Sequence, residues 1–234
     1  RDSNFKMFLP HLEKVLELKR QEAEALEIGK TAYDALLDEY EPGETAANLT
    51  VLFAGLRDEL VGLVSKIVAS KRKPDLRILS GNFPVPQQMA FGKAVATKIG
   101  FDFEAGRLDE TTHPFCSGLG PGDTRITTRY DRYLFAQAFF GILHEAGHGL
   151  YEQGLDQANA GTPMGFPVSL GIHESQSRMW ENFVGRSSPF WIGFFPEAQK
   201  TFPEVLKGVT AEDFIFAINH VEPSFVRVEA DEAT

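Results

Sequence analysis

The sequence predicts a mainly α-helical protein carrying a small antiparallel sheet. Three observations lead there. Apolar residues recur at helical spacing through the N-terminal third. Two short stretches near the middle alternate apolar and polar residues. From Tyr133 onward the pattern is helical again, with breaks at Gly and Pro.

The first helix is expected over Phe8, Leu9, Leu12, Val15, Leu16 and Leu18, which face one way between charged residues. A second is expected from about Ala25 to Glu39, ended by Pro42-Gly43. A third spans Thr45 to Ser70, with Leu49, Leu52, Phe53, Leu56, Leu60, Leu63, Val64 and Ile67 along one side. Together, residues 1–72 read as a wall of long antiparallel helices. Residues 73–234 are expected to hold the sheet and the site helices, within a single catalytic region. Leu76 to Leu79 suits a short strand, and Gln87 to Ile99 a helix stopped by Gly100. Phe101 to Glu104 and Asp123 to Tyr130 alternate as strands, with Cys116 to Gly122 a Gly/Pro-rich loop between them. Two further helices are expected at Tyr133 to Gln153 and Gly171 to Asn182.

Composition narrows the function. The chain has 234 residues, 43% hydrophobic and 24% charged, with a formal net charge of −10. That balance disfavours nucleic acid and anionic membranes as partners. No run of about 18 apolar residues occurs, so no membrane-spanning helix is expected. The lone Cys116 rules out an internal disulfide and fits a reducing compartment, with the cytoplasm as the expected location.

The chemistry concentrates in His144-Glu145-Ala146-Gly147-His148. Histidines four apart project from one helix face and can share one Zn²⁺. Glu145 lies beside that face, placed to act as general base on an attacking water. A catalytic zinc keeps three protein ligands. Glu152 is eight residues past His144, about 12 Å along the axis, too far to join the pair. The third ligand is therefore expected from another segment. Glu174 is the best candidate, and its neighbour His173 is the rival, about 100° around the same helix. Glu181, seven residues after Glu174 on the same face, is placed to hold a ligand imidazole.

The planar guanidinium binds a carboxylate with two parallel hydrogen bonds, so arginines are the candidates for holding an acidic group of a substrate. Arg125 and Arg227 are the first candidates and Arg129 the third; Arg125 and Arg129 share a strand face with Thr127. Salt bridges to Asp123 or Asp231 are the structural alternative. His113 is a candidate hydrogen-bond donor to substrate, and Phe115 a groove-lining residue. Tyr130 and Tyr133 serve equally as donors or as packing. His11 and His220 carry no partner pattern.

The motifs His113-Pro114-Phe115, Asp123-Thr124-Arg125-Ile126-Thr127, the metal helix, His173-Glu174-Ser175-Gln176, and Val226-Arg227-Val228-Glu229-Ala230-Asp231 occur in that order. In these the chain resembles the carboxypeptidase Taq family of metallocarboxypeptidases. The resemblance implies a helical fold with a deep groove, like that of neurolysin and angiotensin-converting enzyme. It implies one divalent metal per chain, zinc first and cobalt second, and a homodimer. It also implies a peptide substrate with a free C-terminus, shortened one residue at a time with broad specificity. The family's later motif, with its Gln-Asp and His-Trp pairs, is missing, and Arg1 is not Met. The sequence is thus expected to be an internal portion of a longer member. An oligoendopeptidase or dipeptidase of the same helical group, or a metal-binding fragment without catalysis, is the alternative function.

Overall fold

The computed structural model describes residues 4–222. The chain divides into two compact units. The first comprises residues 1–63 with 169–171, the second residues 64–168 with 172–234.

In the first unit, α1 (Phe5–Leu26) starts where the Asn4 side chain accepts from the Met7 N–H. It ends at Glu27, which is left-handed at φ 53°. The single helix expected from 25 to 39 is broken here. Thr31 and Asp34 form a reciprocal capping box that opens a separate helix, α2 (Ala32–Leu37). The buried Asp34 carboxylate also accepts from the backbone N–H groups of Ala46 and Lys30, which holds its pKa below the usual range. Ala46 begins α3 (Ala46–Ala69), which has no buried side chain.

In the second unit, Leu76–Leu79 is a 3₁₀ turn and not the expected strand, because Asp75 caps the Arg77 N–H and pairs with the Arg77 guanidinium. α4 (Val85–Lys98) follows. The sheet contains β1 (Gly106–Glu110), β2 (Cys116–Gly120) and β3 (Asp123–Thr128), in the order β1-β3-β2. It departs from the expected antiparallel sheet. β2 and β3 form an antiparallel hairpin, whereas β1 runs parallel to β3. β3 takes the centre because its Thr124, Ile126, Thr127 and Thr128 are all buried and β-branched. Cys116 to Gly120, expected as loop, pairs with this central strand despite its glycines. Phe101 to Glu104 is not a strand. The Gln153 side chain accepts from the Asp102 N–H and donates to the Asp102 carbonyl, so no strand partner is needed.

α5 (Phe135–Gln153) lies between two apolar clusters. One gathers Phe83, Phe91, Phe135, Phe139, Phe202, Phe214 and Trp191; the other holds Phe101, Ile126, Ala138, Ile142 and Ala146. α6 (Leu170–Arg178) passes without a break into a π-helical stretch, Met179–Val184. α7 (Ser188–Thr201), α8 (Pro203–Leu206) and α9 (Ala211–Ile218) complete the unit. Among the described residues no helix is long and apolar enough to cross a membrane.

Candidate metal centre

The site's residues all belong to the second unit. The core takes most of α5, and His144, His148 and Glu152 stay half-buried at steps of four along one face. These three side chains meet Glu174 and His173 of α6. The two helices approach closely at Gly147, where an added Cβ would fall 2.6 Å from both the Gln176 carbonyl oxygen and the Ser177 Cα. Glycine at 147 lets the α6 backbone, and Glu174 with it, lie against the histidines.

The geometry brings three donors together. His148 Nε2 is 3.1 Å from Glu174 Oε2, and His144 Nε2 is 3.7 Å from the same oxygen. One ligand atom from each of His144, His148 and Glu174 lies within 4.8 Å of the others. Bonds of about 2.0–2.1 Å in a tetrahedral site require donors about 3.4 Å apart, so these separations bracket what zinc needs. Two imidazoles and one carboxylate are also a donor set that suits zinc chemically.

Other contacts orient the donors. His144 Nδ1 is 2.8 Å from Glu181 Oε2. Arg178 bridges the two carboxylates, its Nε 3.0 Å from Glu174 Oε1 and its Nη1 3.1 Å from Glu181 Oε2. The buried Ser177 hydroxyl is 2.7 Å from the Glu174 carbonyl and 3.1 Å from Glu174 Oε2. His173 lies behind His148, with its Nδ1 2.5 Å from His148 Nδ1 and its Nε2 2.8 Å from Glu152 Oε1.

The titration of these groups follows from their surroundings. Burial pushes Glu174 up, but the bond from His148 and the charges of His144, His148 and Arg178 outweigh it and hold the carboxyl at about 2. Burial pushes Glu145 up to about 7; the His144 charge works against it, and the carboxylates Glu174 and Glu181 add to it. His148 is lowered, chiefly by burial. Burial also works to lower His144, but the Glu181 contact overrides it and leaves that imidazole raised.

The remaining candidates lie elsewhere. Arg125 makes a two-pronged contact with Asp123, at 2.9 Å on both nitrogens. Arg129 is half-buried just past the end of β3. His113 is exposed in the loop between β1 and β2, and Phe115 beside it is exposed. Tyr130 is buried and Tyr133 exposed. His11 is exposed, and His220 lies 3.1 Å from Glu222. Arg227 lies outside the described residues. Sequence reasoning missed Arg178 and Ser177, and it considered Glu152 only as a ligand. The signal for Arg178 was its place four residues after Glu174 and three before Glu181. Glu152 carried one too, four residues after His148 on the same stripe.

Over residues 1–234 the sequence matches the carboxypeptidase Taq (M32) metallopeptidase family. The chain belongs to that family. It is 52% identical to thermostable carboxypeptidase 1 of Thermus thermophilus, over 97% of this chain and 46% of that protein. It is 44% identical to carboxypeptidase 1 of Bacillus subtilis, over 99% of this chain and 46% of that protein. The crystal structure of an M32 carboxypeptidase from Deinococcus radiodurans superposes with a TM-score of 0.89 at 44% identity, covering 98% of this chain and 46% of that one. The chain thus spans about half the length of these M32 relatives.

Proposed function

We propose that this chain supplies the metal-binding part of a metal-dependent carboxypeptidase that removes single residues from the free C-terminus of peptides. The observation that carries the proposal is the convergence of His144 and His148 of α5 with Glu174 of α6, beside the buried Glu145. The carboxypeptidase names of the M32 relatives support it.

In this reading His144, His148 and Glu174 hold one divalent cation, zinc in preference to cobalt. When bound, the cation supplies Lewis acidity at the scissile carbonyl and at the attacking water. Glu145 takes the proton from that water and hands it to the leaving amine. Burial raises the Glu145 carboxyl, which makes it a stronger base than an ordinary exposed carboxylate. Glu181 and Arg178 hold His144 and Glu174 in orientation. Arg125, Arg227 and Arg129 are the candidates for the substrate's terminal carboxylate. Arg125 would have to exchange Asp123 for the substrate, since its guanidinium fork is engaged there. His113 is the candidate donor to the substrate. A homodimer in the cytoplasm, with no nucleic-acid or membrane partner, completes the proposal.

The test uses one peptide as free acid and as C-terminal amide, followed by mass spectrometry with the zinc- or cobalt-loaded chain. A ladder of single losses from the free acid alone is expected. Cleavage of the amide would identify an endopeptidase. Bound metal with no cleavage would leave a metal-binding fragment that lacks turnover. Glu145→Gln should keep its metal and lose turnover; turnover equal to the parent would remove Glu145 from the mechanism.

A further inference from the structure

We propose that Glu152 and His173 form a hydrogen-bonded chain that fixes the tautomer and orientation of His148, with His173 a positioning residue and not a metal ligand. This rests on the reading of His144, His148 and Glu174 as the ligands. The geometry supplies the chain in one line: His148 Nδ1 to His173 Nδ1 at 2.5 Å, then His173 Nε2 to Glu152 Oε1 at 2.8 Å.

Proton accounting gives the chain its direction. His148 Nε2 faces Glu174 Oε2 in the donor triad, so its lone pair goes to the cation. The ring proton then sits on Nδ1 and is donated to His173 Nδ1, which must be bare. With Nδ1 bare, His173 carries its proton on Nε2 and donates it to Glu152. Every nitrogen is used once and the chain ends on a carboxylate. Both nitrogens of His173 are occupied, which leaves none for a metal.

The surroundings hold the chain in place. The His148 and His173 rings meet edge to edge through their Nδ1 atoms, with planes 26° apart and centroids 4.6 Å apart, and Tyr151 meets His173 edge-on at 5.0 Å. Glu152 stands one helical turn beyond His148 on α5, which aims its carboxylate back over the same face. On the far side, a Cβ at Gly118 of β2 would fall 2.3 Å from Glu152 Oε2, so glycine makes room for the carboxylate. The two ligand imidazoles are thus supported differently. His144 rests directly on Glu181, and His148 reaches its carboxylate through a second imidazole.

The experiment measures zinc affinity by chelator competition on the full chain, with the visible spectrum of the cobalt form. The variants are His173→Phe, Glu152→Ala, Glu152→Gln and the double variant His173→Phe/Glu152→Ala. Each of His173→Phe and Glu152→Ala should weaken zinc binding by about 10–100-fold while the cobalt spectrum keeps its coordination number. The double variant should be no weaker than the weaker single, because both changes cut one chain. Glu152→Gln, whose carbonyl still accepts from His173, should lose less than Glu152→Ala. Parental affinity in His173→Phe, additive losses, or a cobalt spectrum reporting a lost nitrogen ligand would overturn the proposal. Should His173→Phe fail to fold, the ¹⁵N spectrum of the zinc-loaded parent decides. Protons on His148 Nδ1 and His173 Nε2 support the chain, and a proton on His173 Nδ1 overturns it. Failure of the underlying metal reading looks different: the parent itself, or His144→Ala, would show no specific zinc site to lose.

Discussion

Replacing Gly147 by Ala tests whether the approach of α6 to α5 sets the metal site. The new Cβ would lie 2.6 Å from the Gln176 carbonyl oxygen and the Ser177 Cα, both backbone atoms that cannot swing aside. Favourable contact begins at about 3.5 Å, so α6 must recede by roughly 0.9 Å. Glu174 is only two residues before Gln176 and moves with it. Its Oε2 now sits 3.1 Å from His148 Nε2, and metal–ligand distances tolerate only about 0.2 Å. The displacement exceeds that tolerance several-fold. Zinc affinity should therefore fall by at least about tenfold, and overpacking should cost about 1–3 kcal/mol of stability. Chelator competition and a thermal melt measure the two effects separately. Gly141→Ala on the same helix is the control. Its Cβ would meet just one atom within 4 Å, the Thr128 hydroxyl oxygen at 3.2 Å. It should keep parental metal affinity and lose little stability, since Ala is favoured over Gly in a helix by about 1 kcal/mol. Parental zinc affinity in Gly147→Ala would show that the close approach does not position Glu174, and the reasoning would fail.

Arg178→Lys keeps the charge but loses the fork that joins Glu174 to Glu181, and should weaken zinc binding by about tenfold; unchanged affinity in a chelator titration would show the fork to be immaterial. The Cys116 thiol is pushed up to about 12, first by burial and then by the Glu145 and Glu152 charges. Its thiolate fraction at pH 8 is then about a thousandfold below that of an ordinary cysteine. Iodoacetamide should label the native chain slowly and the urea-unfolded chain fast, and equal rates would contradict the burial. Because this folded pKa lies above the model-compound value of 9.0, its contribution to stability is complete below pH 9 and is lost as pH rises toward 12. Phe135→Ala removes a ring stacked at 4.9 Å on Phe83 and 5.3 Å on Phe139, and should cost about 3–5 kcal/mol in a denaturant melt. A loss under about 1 kcal/mol would show that the cluster collapses around the gap.

Sequence made α5 legible because His144 and His148 stand four apart, half-buried on one face of a helix whose neighbouring positions are mostly core. Glu174 and Glu181 were legible for a related reason, since seven residues return to nearly the same helix face. The π-helical turn that carries Glu181 was not, because nothing in Met179–Val184 marks a widened turn. The sheet was read least well. Strand Cys116–Gly120 has poor β propensity and exists because β3 offers an open ladder edge. Phe101–Glu104 has the alternation of a strand but is satisfied by the Gln153 side chain 51 residues away. The direction of β1 depends on which edge of β3 was left for it, a tertiary choice with no local signature. Arg178 was legible by its spacing, four residues after Glu174 and three before Glu181, but went unread.

Electrostatics shows why the carboxylates of this site are treated unequally. Glu145, Glu152, Glu174 and Glu181 crowd around three imidazoles, and like charges in a partly buried cluster are costly unless paired. Three of them have close partners: Glu152 meets His173, Glu181 meets Arg178 and His144, and Glu174 meets Arg178 and both ligand imidazoles. That pairing holds Glu174 at about 2, so it remains an anionic donor across the neutral range. Glu145 lies on the same helix yet goes the other way, to about 7, because burial dominates there and the charges of Glu174 and Glu181 reinforce it. A guanidinium bonded to Glu145 would return it toward the ordinary carboxylate range and leave a weak base. The arrangement therefore spends its cation on the donor and on the carboxylate that orients His144. The carboxylate proposed to move protons gets burial instead.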